Sequence, residues 1–191
     1  MGFTKEEYVY EHDVGFRTTL MERLRSENLQ GLCVAWTIDW LKHNLMRAPV
    51  NSIYSSGQIN QLIEKHRDYI AGRELGKYST KESVSLQRIA SGDIAYWAGL
   101  KGFDDLGLKP GCAYLVEIGE PYSSVRDTIG HVFGLFRDEN TLLFFDQNFG
   151  MVRVTNFKRI NEEYTKEIQI FQDELSLKFR HWEIFQVSLT G

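Results

Sequence analysis

The segment from Leu32 to about Met46 constrains the fold most, because apolar side chains surround most of the circumference of one helix. One stripe of this helix is aliphatic and a second carries tryptophan: Val34, Ile38, Leu41 and Leu45 on the first, Trp36 and Trp40 on the second. Pro49 ends the helical pattern. A helix that is apolar on so many sides has to be covered by other elements. The sequence therefore predicts a central, buried helix.

The rest of the chain separates into a helical part and a strand-rich part. Helices are predicted over Phe16–Arg25 and Ile59–Ile70, followed by polar helix and loop over Gly72–Ser91 and short apolar pieces over Ile94–Leu100. After Gly111, short segments rich in β-forming residues predict strands over Ala113–Ile118, His131–Arg137, Thr141–Asp146, Met151–Thr155 and Phe179–Leu189, with a charged helix over Lys158–Leu175. This order predicts an α+β fold in which the buried helix covers one face of a mostly antiparallel sheet. We expect one domain over 1–191, with a helical lobe over about 1–105 and a sheet lobe over about 106–191.

Composition excludes several classes of protein. The chain has 22 Lys and Arg against 26 Asp and Glu, and this net charge of -4 provides no long-range attraction to nucleic acid or to an anionic membrane. No apolar run approaches the length of a membrane span, and no cleavable signal peptide is visible. The only two cysteines, Cys33 and Cys112, predict a reducing compartment with at least one free thiol. The histidines have no metal-ligand spacing, so we expect no metal or cofactor.

Cys33 lies just after Gly31, at the predicted start of the buried helix. The positive end of a helix dipole stabilises a thiolate, and the Cys33 N–H at that position is a candidate donor to an oxyanion. Considered alone, a cysteine in an apolar helix is more often a small buried hydrophobic residue. The position therefore predicts a nucleophile only if a base lies nearby.

The hairpin around Asp138–Asn140 supplies a candidate base and its partner. Pairing Arg137 with Thr141 places His131 opposite Gln147, and a register shifted by one residue sets His131 opposite Asp146. In either register, an imidazole and a carboxylate come within cross-strand reach. Such a carboxylate fixes the tautomer of the imidazole and stabilises its cation. The commoner roles are a structural strand histidine and a turn-capping aspartate, but the combination with a cysteine at a helix start favours a Cys-His-Asp triad.

Three motifs carry a family resemblance. They are Gly31-Leu-Cys33-Val-Ala-Trp before a helix, Gly130-His131-Val, and Phe144-Phe-Asp146-Gln-Asn-Phe-Gly150. With their spacings, they resemble the YopT/AvrPphB-type family of papain-like bacterial effector cysteine proteases over about residues 28–150. The family usually follows its aspartate with Pro-Asn, where this chain has Gln147-Asn148.

The resemblance implies a papain-like fold and a thiol protease with Cys33 as nucleophile, His131 as base and Asp146 as the orienting carboxylate. It also implies an amide oxyanion donor upstream of the cysteine, for which Asn28 is the first choice and Gln30 the alternative; Asn28 could equally serve only to end the first helix. The implied substrate is a host protein, and the implied location is the host cytosol, which a secreted bacterial effector or toxin enters during virulence. The same triad also serves glutamine deamidation, transamidation or acyl transfer, and a further alternative is a non-catalytic binding module.

Overall fold

The computed structural model describes residues 2–29, 31–72, 74–93, 106–119, 130–155, 158–163, 165–166 and 181–191. Four helices are α1 (Val14–Ser26), α2 (Cys33–Leu45), α3 (Ser56–Gly72) and α4 (Leu75–Lys81). Seven strands are β1 (Tyr8–Glu11), β2 (Val84–Asp93), β3 (Cys112–Gly119), β4 (His131–Arg137), β5 (Leu142–Asp146), β6 (Gly150–Val154) and β7 (His181–Leu189). Residues 158–163 and 165–166 are also helical.

The seven strands form one sheet in the order β1-β6-β5-β4-β3-β7-β2, and every neighbouring pair is antiparallel. Helices combined with an antiparallel sheet confirm the α+β prediction. Within the described ranges, no helix is both long and apolar enough to cross a bilayer.

Helix α2 is the centre of the apolar core on one face of the sheet, as predicted. Both of its tryptophans are completely buried. The ring of Trp40 stacks on Phe145 of β5 with centroids 5.3 Å apart, and its indole N–H donates to the Met151 sulfur at 3.2 Å. Gly134 of β4 leaves room for this ring, because a Cβ at that position would lie 2.9 Å from Trp40. The helix is therefore fixed against the strands β4, β5 and β6.

A second apolar cluster covers the opposite face of the sheet. Tyr114, Phe133 and Phe144 are its fully buried aromatic residues. Phe3 near the N-terminus and Ile160 of the helical stretch 158–163 pack against them. The sheet is thus buried on both faces, which accounts for the continuous apolar runs in its central strands.

Two strands were missed by the sequence analysis, and both are edge strands. β1 lies in the part that was predicted to be helical and pairs with β6; β2 lies in Gly72–Ser91, predicted as polar helix and loop, and pairs with β7. Each pairing contains a register shift, between Tyr8 and Tyr10 in β1 and between Arg88 and Ala90 in β2. Val84 is the one buried residue of β2, so its sequence lacks the alternation that predicts a half-buried strand. The sheet therefore includes strands from the predicted helical lobe.

The other predicted elements agree with the structure where it describes them. The strand β5 begins one residue later than predicted, at Leu142, and β6 begins one residue earlier, at Gly150. The apolar pieces at 94–100, the charged helix beyond residue 166 and the first two residues of the predicted last strand lie outside the described residues.

The contact between Gly134 and Trp40 generates a stability prediction. We expect Gly134→Ala to lower the free energy of unfolding by about 1–3 kcal/mol, because the added methyl group overpacks the interface between α2 and β4. Gly76→Ala in α4 is the matched control, since nothing lies within 4 Å of its Cβ position and alanine favours a helix. Denaturant unfolding of both variants measures the difference, and equal stabilities would contradict the packing argument.

Candidate active site

Cys33 is the first helical residue of α2, and its side chain is half-buried. Both cysteines of the chain are free thiols. The residue before it, Leu32, has no side-chain oxygen that could cap the helix. The N–H of Cys33 belongs to the first turn, whose amides have no acceptor inside the helix. The thiol therefore lies where the helix dipole stabilises negative charge.

His131 and Asp146 are in direct contact. His131 is the first residue of β4, Asp146 is the last residue of β5, and Nε2 of the imidazole lies 2.6 Å from Oδ2 of the carboxylate. Only 12% of the His131 side chain is exposed, and Asp146 is completely buried. The second carboxylate oxygen, Oδ1, accepts the Asn148 N–H at 2.8 Å. Asp146 thus caps the turn after β5 and orients the imidazole at the same time.

The register that brings this pair together differs from both predicted registers. Arg137 pairs with Leu142 rather than with Thr141, and the Asp138 N–H donates to the Thr141 carbonyl across a four-residue turn. Extended along β4, this register sets His131 opposite position 148, so that Asp146 is its diagonal neighbour on the same side of the sheet. Diagonal neighbours lie roughly 7–8 Å apart at their Cα atoms, within reach of these two side chains.

The charges around His131 favour an imidazolium. Burial of the ring lowers its pKa, but the Asp146 carboxylate, through its charge and its hydrogen bond, and a hydrogen bond with Cys33 together raise the pKa of His131 to about 10. The structure therefore brings Cys33, His131 and Asp146 together, and at neutral pH a cationic imidazole accompanies the cysteine sulfur at the helix N-terminus.

The two candidate oxyanion donors have different outcomes. Asn28 follows the end of α1 in a left-handed conformation with φ of 58°, and its N–H donates to the Arg25 carbonyl. Asn28 therefore ends the first helix, which is the alternative role that the sequence allowed. Its role as a hydrogen-bond donor to an oxyanion stays a prediction. Gln30 lies outside the described residues.

Gln147 and His12 contribute contacts that the sequence analysis missed. Oε1 of Gln147 accepts the Leu32 N–H at 2.7 Å, and the Gln147 carbonyl oxygen lies 2.8 Å from Nδ1 of His12. Both side chains are buried. The only signal in the sequence was the glutamine at the position after Asp146, and it does not indicate a partner 115 residues away.

The arrangement suits nucleophilic chemistry at a carbonyl or a similar electrophile. Within the described ranges, no three His, Cys, Asp or Glu residues cluster closely enough to hold a metal ion. The groups that the structure brings together for such chemistry are the thiol, the imidazole and the carboxylate.

Comparison with known proteins identifies the fold. By sequence, the chain matches no family model and no curated protein. Its structure is similar to that of the Pseudomonas avirulence protein AvrPphB, with a TM-score of 0.57 and 16% identity, over 85% of this chain and 94% of that one. AvrPphB is one of the two proteins that give their names to the family that the motifs resemble. At this identity, the likeness shows a shared fold.

The buried ion pair generates a prediction for His131 titration. Because its folded pKa of about 10 exceeds the ordinary value of about 6.5, the pair stabilises the fold fully below about pH 6.5 and loses that effect as the pH rises through about 10. We expect Asp146→Asn to lower the His131 pKa well below 10, because burial then acts without the opposing carboxylate.

Imidazole NMR titration measures this change. His66 of α3 is the internal control, since burial lowers its pKa to about 4 and Asp146 is not among the causes of that shift. A His131 pKa that is unchanged in Asp146→Asn, or that lies near 6.5 in the wild type, would contradict the electrostatic account.

Proposed function

We propose that this protein is a cysteine endopeptidase that cleaves a protein substrate through an acyl-enzyme intermediate. The observation that carries the proposal is the 2.6 Å contact between His131 and Asp146, with the Cys33 thiol in hydrogen-bonding reach of the imidazole. The fold shared with AvrPphB supports it, as does the position of the thiol at the start of α2. A buried helix cysteine, a strand histidine and a turn-capping aspartate would not need to lie close together if their roles were only structural.

The mechanism begins with the Cys33 proton already on His131, because the raised pKa of this ring favours the imidazolium. The resulting thiolate attacks the substrate carbonyl carbon, and the oxyanion accepts hydrogen bonds from the Cys33 N–H and from the Asn28 side-chain amide. The imidazolium then protonates the leaving amine, and a thioester remains on Cys33. Asp146 stabilises the imidazolium and fixes its orientation throughout.

The second half of the cycle uses the same groups in reverse. His131, now neutral, takes a proton from water, and the hydroxide attacks the thioester carbonyl. The bond between sulfur and the acyl carbon breaks, the carboxylic acid product leaves, and the thiolate is regenerated beside the protonated His131, as at the start of the cycle. No external oxidant, reductant or metal ion enters this balance.

The resemblance and the shared fold support a proposal for the substrate and its location. We infer that the target is a protein of a host cell and that the enzyme acts there as a delivered bacterial effector. The triad itself is equally suited to deamidation or acyl transfer, because the acyl acceptor decides the product. The product of the reaction therefore has to be determined directly.

Replacement of the triad residues tests the activity. We expect Cys33→Ala and His131→Ala to remain folded and to lose cleavage of the target, because each removes a reacting group. Asp146→Ala should retain a reduced rate, since the thiol and the imidazole remain. Cys112→Ala is the matched control for the loss of a thiol and should cleave at the wild-type rate. Cleavage by Cys33→Ala would rule out Cys33 as the nucleophile.

Proteome-wide mapping of new N-termini identifies the reaction. Host-cell extract is exposed to the wild-type protein or to Cys33→Ala, and we expect a small set of new termini only with the wild type. A mass increase of about 1 Da on a glutamine, without chain cleavage, would instead establish deamidation. A biological effect that survives in Cys33→Ala would favour a binding module.

Asn28 can be tested without straining its left-handed backbone. We expect Asn28→Gly to lower kcat by about 100-fold to 1,000-fold with little change in KM, because the amide would act only on the oxyanion. Glycine adopts the φ of 58° freely, so the fold should be retained. Arg47→Gly, at a φ of 57° after α2, is the matched control. An unchanged kcat in Asn28→Gly would leave this residue with its structural role alone.

A further inference from the structure

Gln147 connects the two halves of the candidate site. It directly follows Asp146 in the chain, while its hydrogen-bond partner Leu32 directly precedes Cys33. The contacts therefore close a ring that runs from Cys33 to His131, to Asp146, along the chain to Gln147, and back through Leu32. Two links of this ring are covalent, and two are made by the reacting groups. The remaining link is the hydrogen bond between Leu32 and Gln147.

The amide of Gln147 is tightly held at this position. Only 8% of the residue is exposed, and the bond from the Leu32 N–H is also buried. A Cβ on Gly31 would lie 2.9 Å from Nε2 of Gln147, which is closer than real Cβ contacts. Glycine at position 31 thus permits the amide to lie flat against the chain that enters α2.

A second anchor holds the backbone of Gln147. Nδ1 of His12 donates to the Gln147 carbonyl oxygen at 2.8 Å, and the His12 N–H donates to the Phe149 carbonyl at 3.0 Å. Burial lowers the pKa of His12, so the ring is neutral and its proton resides on the nitrogen that faces the carbonyl. The His12 ring packs with its centroid 5.0 Å from that of Trp36 in α2. The turn after β5 is therefore attached to α2 by two routes.

We propose that Gln147 is a positioning residue that holds the imidazole and carboxylate at a fixed distance from the Cys33 thiol. This inference rests on the proposed function. The ion pair belongs to the sheet and the thiol to the helix, so a small displacement between the two would weaken the hydrogen bond that favours the thiolate. The hydrogen bond that the Leu32 N–H donates to Gln147 opposes that displacement, because Leu32 adjoins Cys33 and Gln147 adjoins Asp146.

The test measures thiol reactivity and needs no knowledge of the substrate. In a Cys112→Ala background, the rate of Cys33 alkylation by iodoacetamide is followed as a function of pH for the unmodified site, Gln147→Met, Gln147→Asn and Gly31→Ala. Methionine keeps the length but has no amide, asparagine keeps the amide but is too short to reach Leu32, and alanine at position 31 displaces the amide. Gln186→Met on β7 is the control, because that glutamine lies beside position 112 and away from the site.

We expect each of the three site variants to be alkylated about tenfold to 100-fold more slowly at pH 6 than the unmodified site. The difference in rate should shrink at alkaline pH, where any thiol ionises. Gly31→Ala should add little in the Gln147→Met background, because both changes break the same contact. Gln186→Met should leave the pH profile unchanged.

The outcomes separate this inference from the proposed function. An activated Cys33 whose rate and pH profile are the same in all three variants would overturn the role of Gln147 and leave the protease proposal intact. A Cys33 that reacts as an ordinary thiol even with Gln147 present would overturn the proposed function itself. If Gln147→Met does not fold, as shown by its melting curve, Gln147→Asn and Gly31→Ala decide the question.

Discussion

The packing of α2 against the sheet is the constraint on which the rest of the structure depends. Trp40 fills the space above Gly134 and stacks on Phe145, and both neighbours lie on the strands that carry the imidazole and the carboxylate. Interiors packed this closely transmit small displacements rather than absorbing them. The position of the helix N-terminus relative to the ends of β4 and β5, and hence of the thiol relative to its base, is set by this contact.

The completely buried Asp146 carboxylate contacts both the turn after β5 and the imidazole of His131. A buried charge is costly unless it is paired and hydrogen-bonded, and here one oxygen meets His131 while the other accepts the Asn148 N–H. The same carboxylate therefore shapes the turn, and that turn carries Gln147 to the entrance of α2. A turn-capping aspartate and an orienting aspartate are alternatives in a sequence, but in this fold they are compatible.

The sequence predicted the elements whose patterns are local and strong. Helices α1, α2 and α3 and strands β3 to β7 have clear helical periodicity or apolar runs, and the motifs pointed to Cys33, His131 and Asp146. The edge strands β1 and β2 were missed because one is short and the other has only one buried residue. The hairpin register was wrong because turn length is not visible in composition. The contacts of Gln147 could not be predicted, since a bond from one side chain to a distant backbone amide has no periodicity.

The position of β1 at the edge of the sheet has a consequence for how the protein acquires its reactive geometry. His12, just after β1, meets Gln147 across 135 residues of chain, and Leu32 meets it across 115. Contacts so distant in sequence form late and slowly during folding, because the closure of a long loop is entropically costly. During synthesis, the thiol leaves the ribosome long before its base and the turn that supports it. A nascent chain would thus carry Cys33 without its contact partners, and the site would be assembled only when the later strands fold against α2.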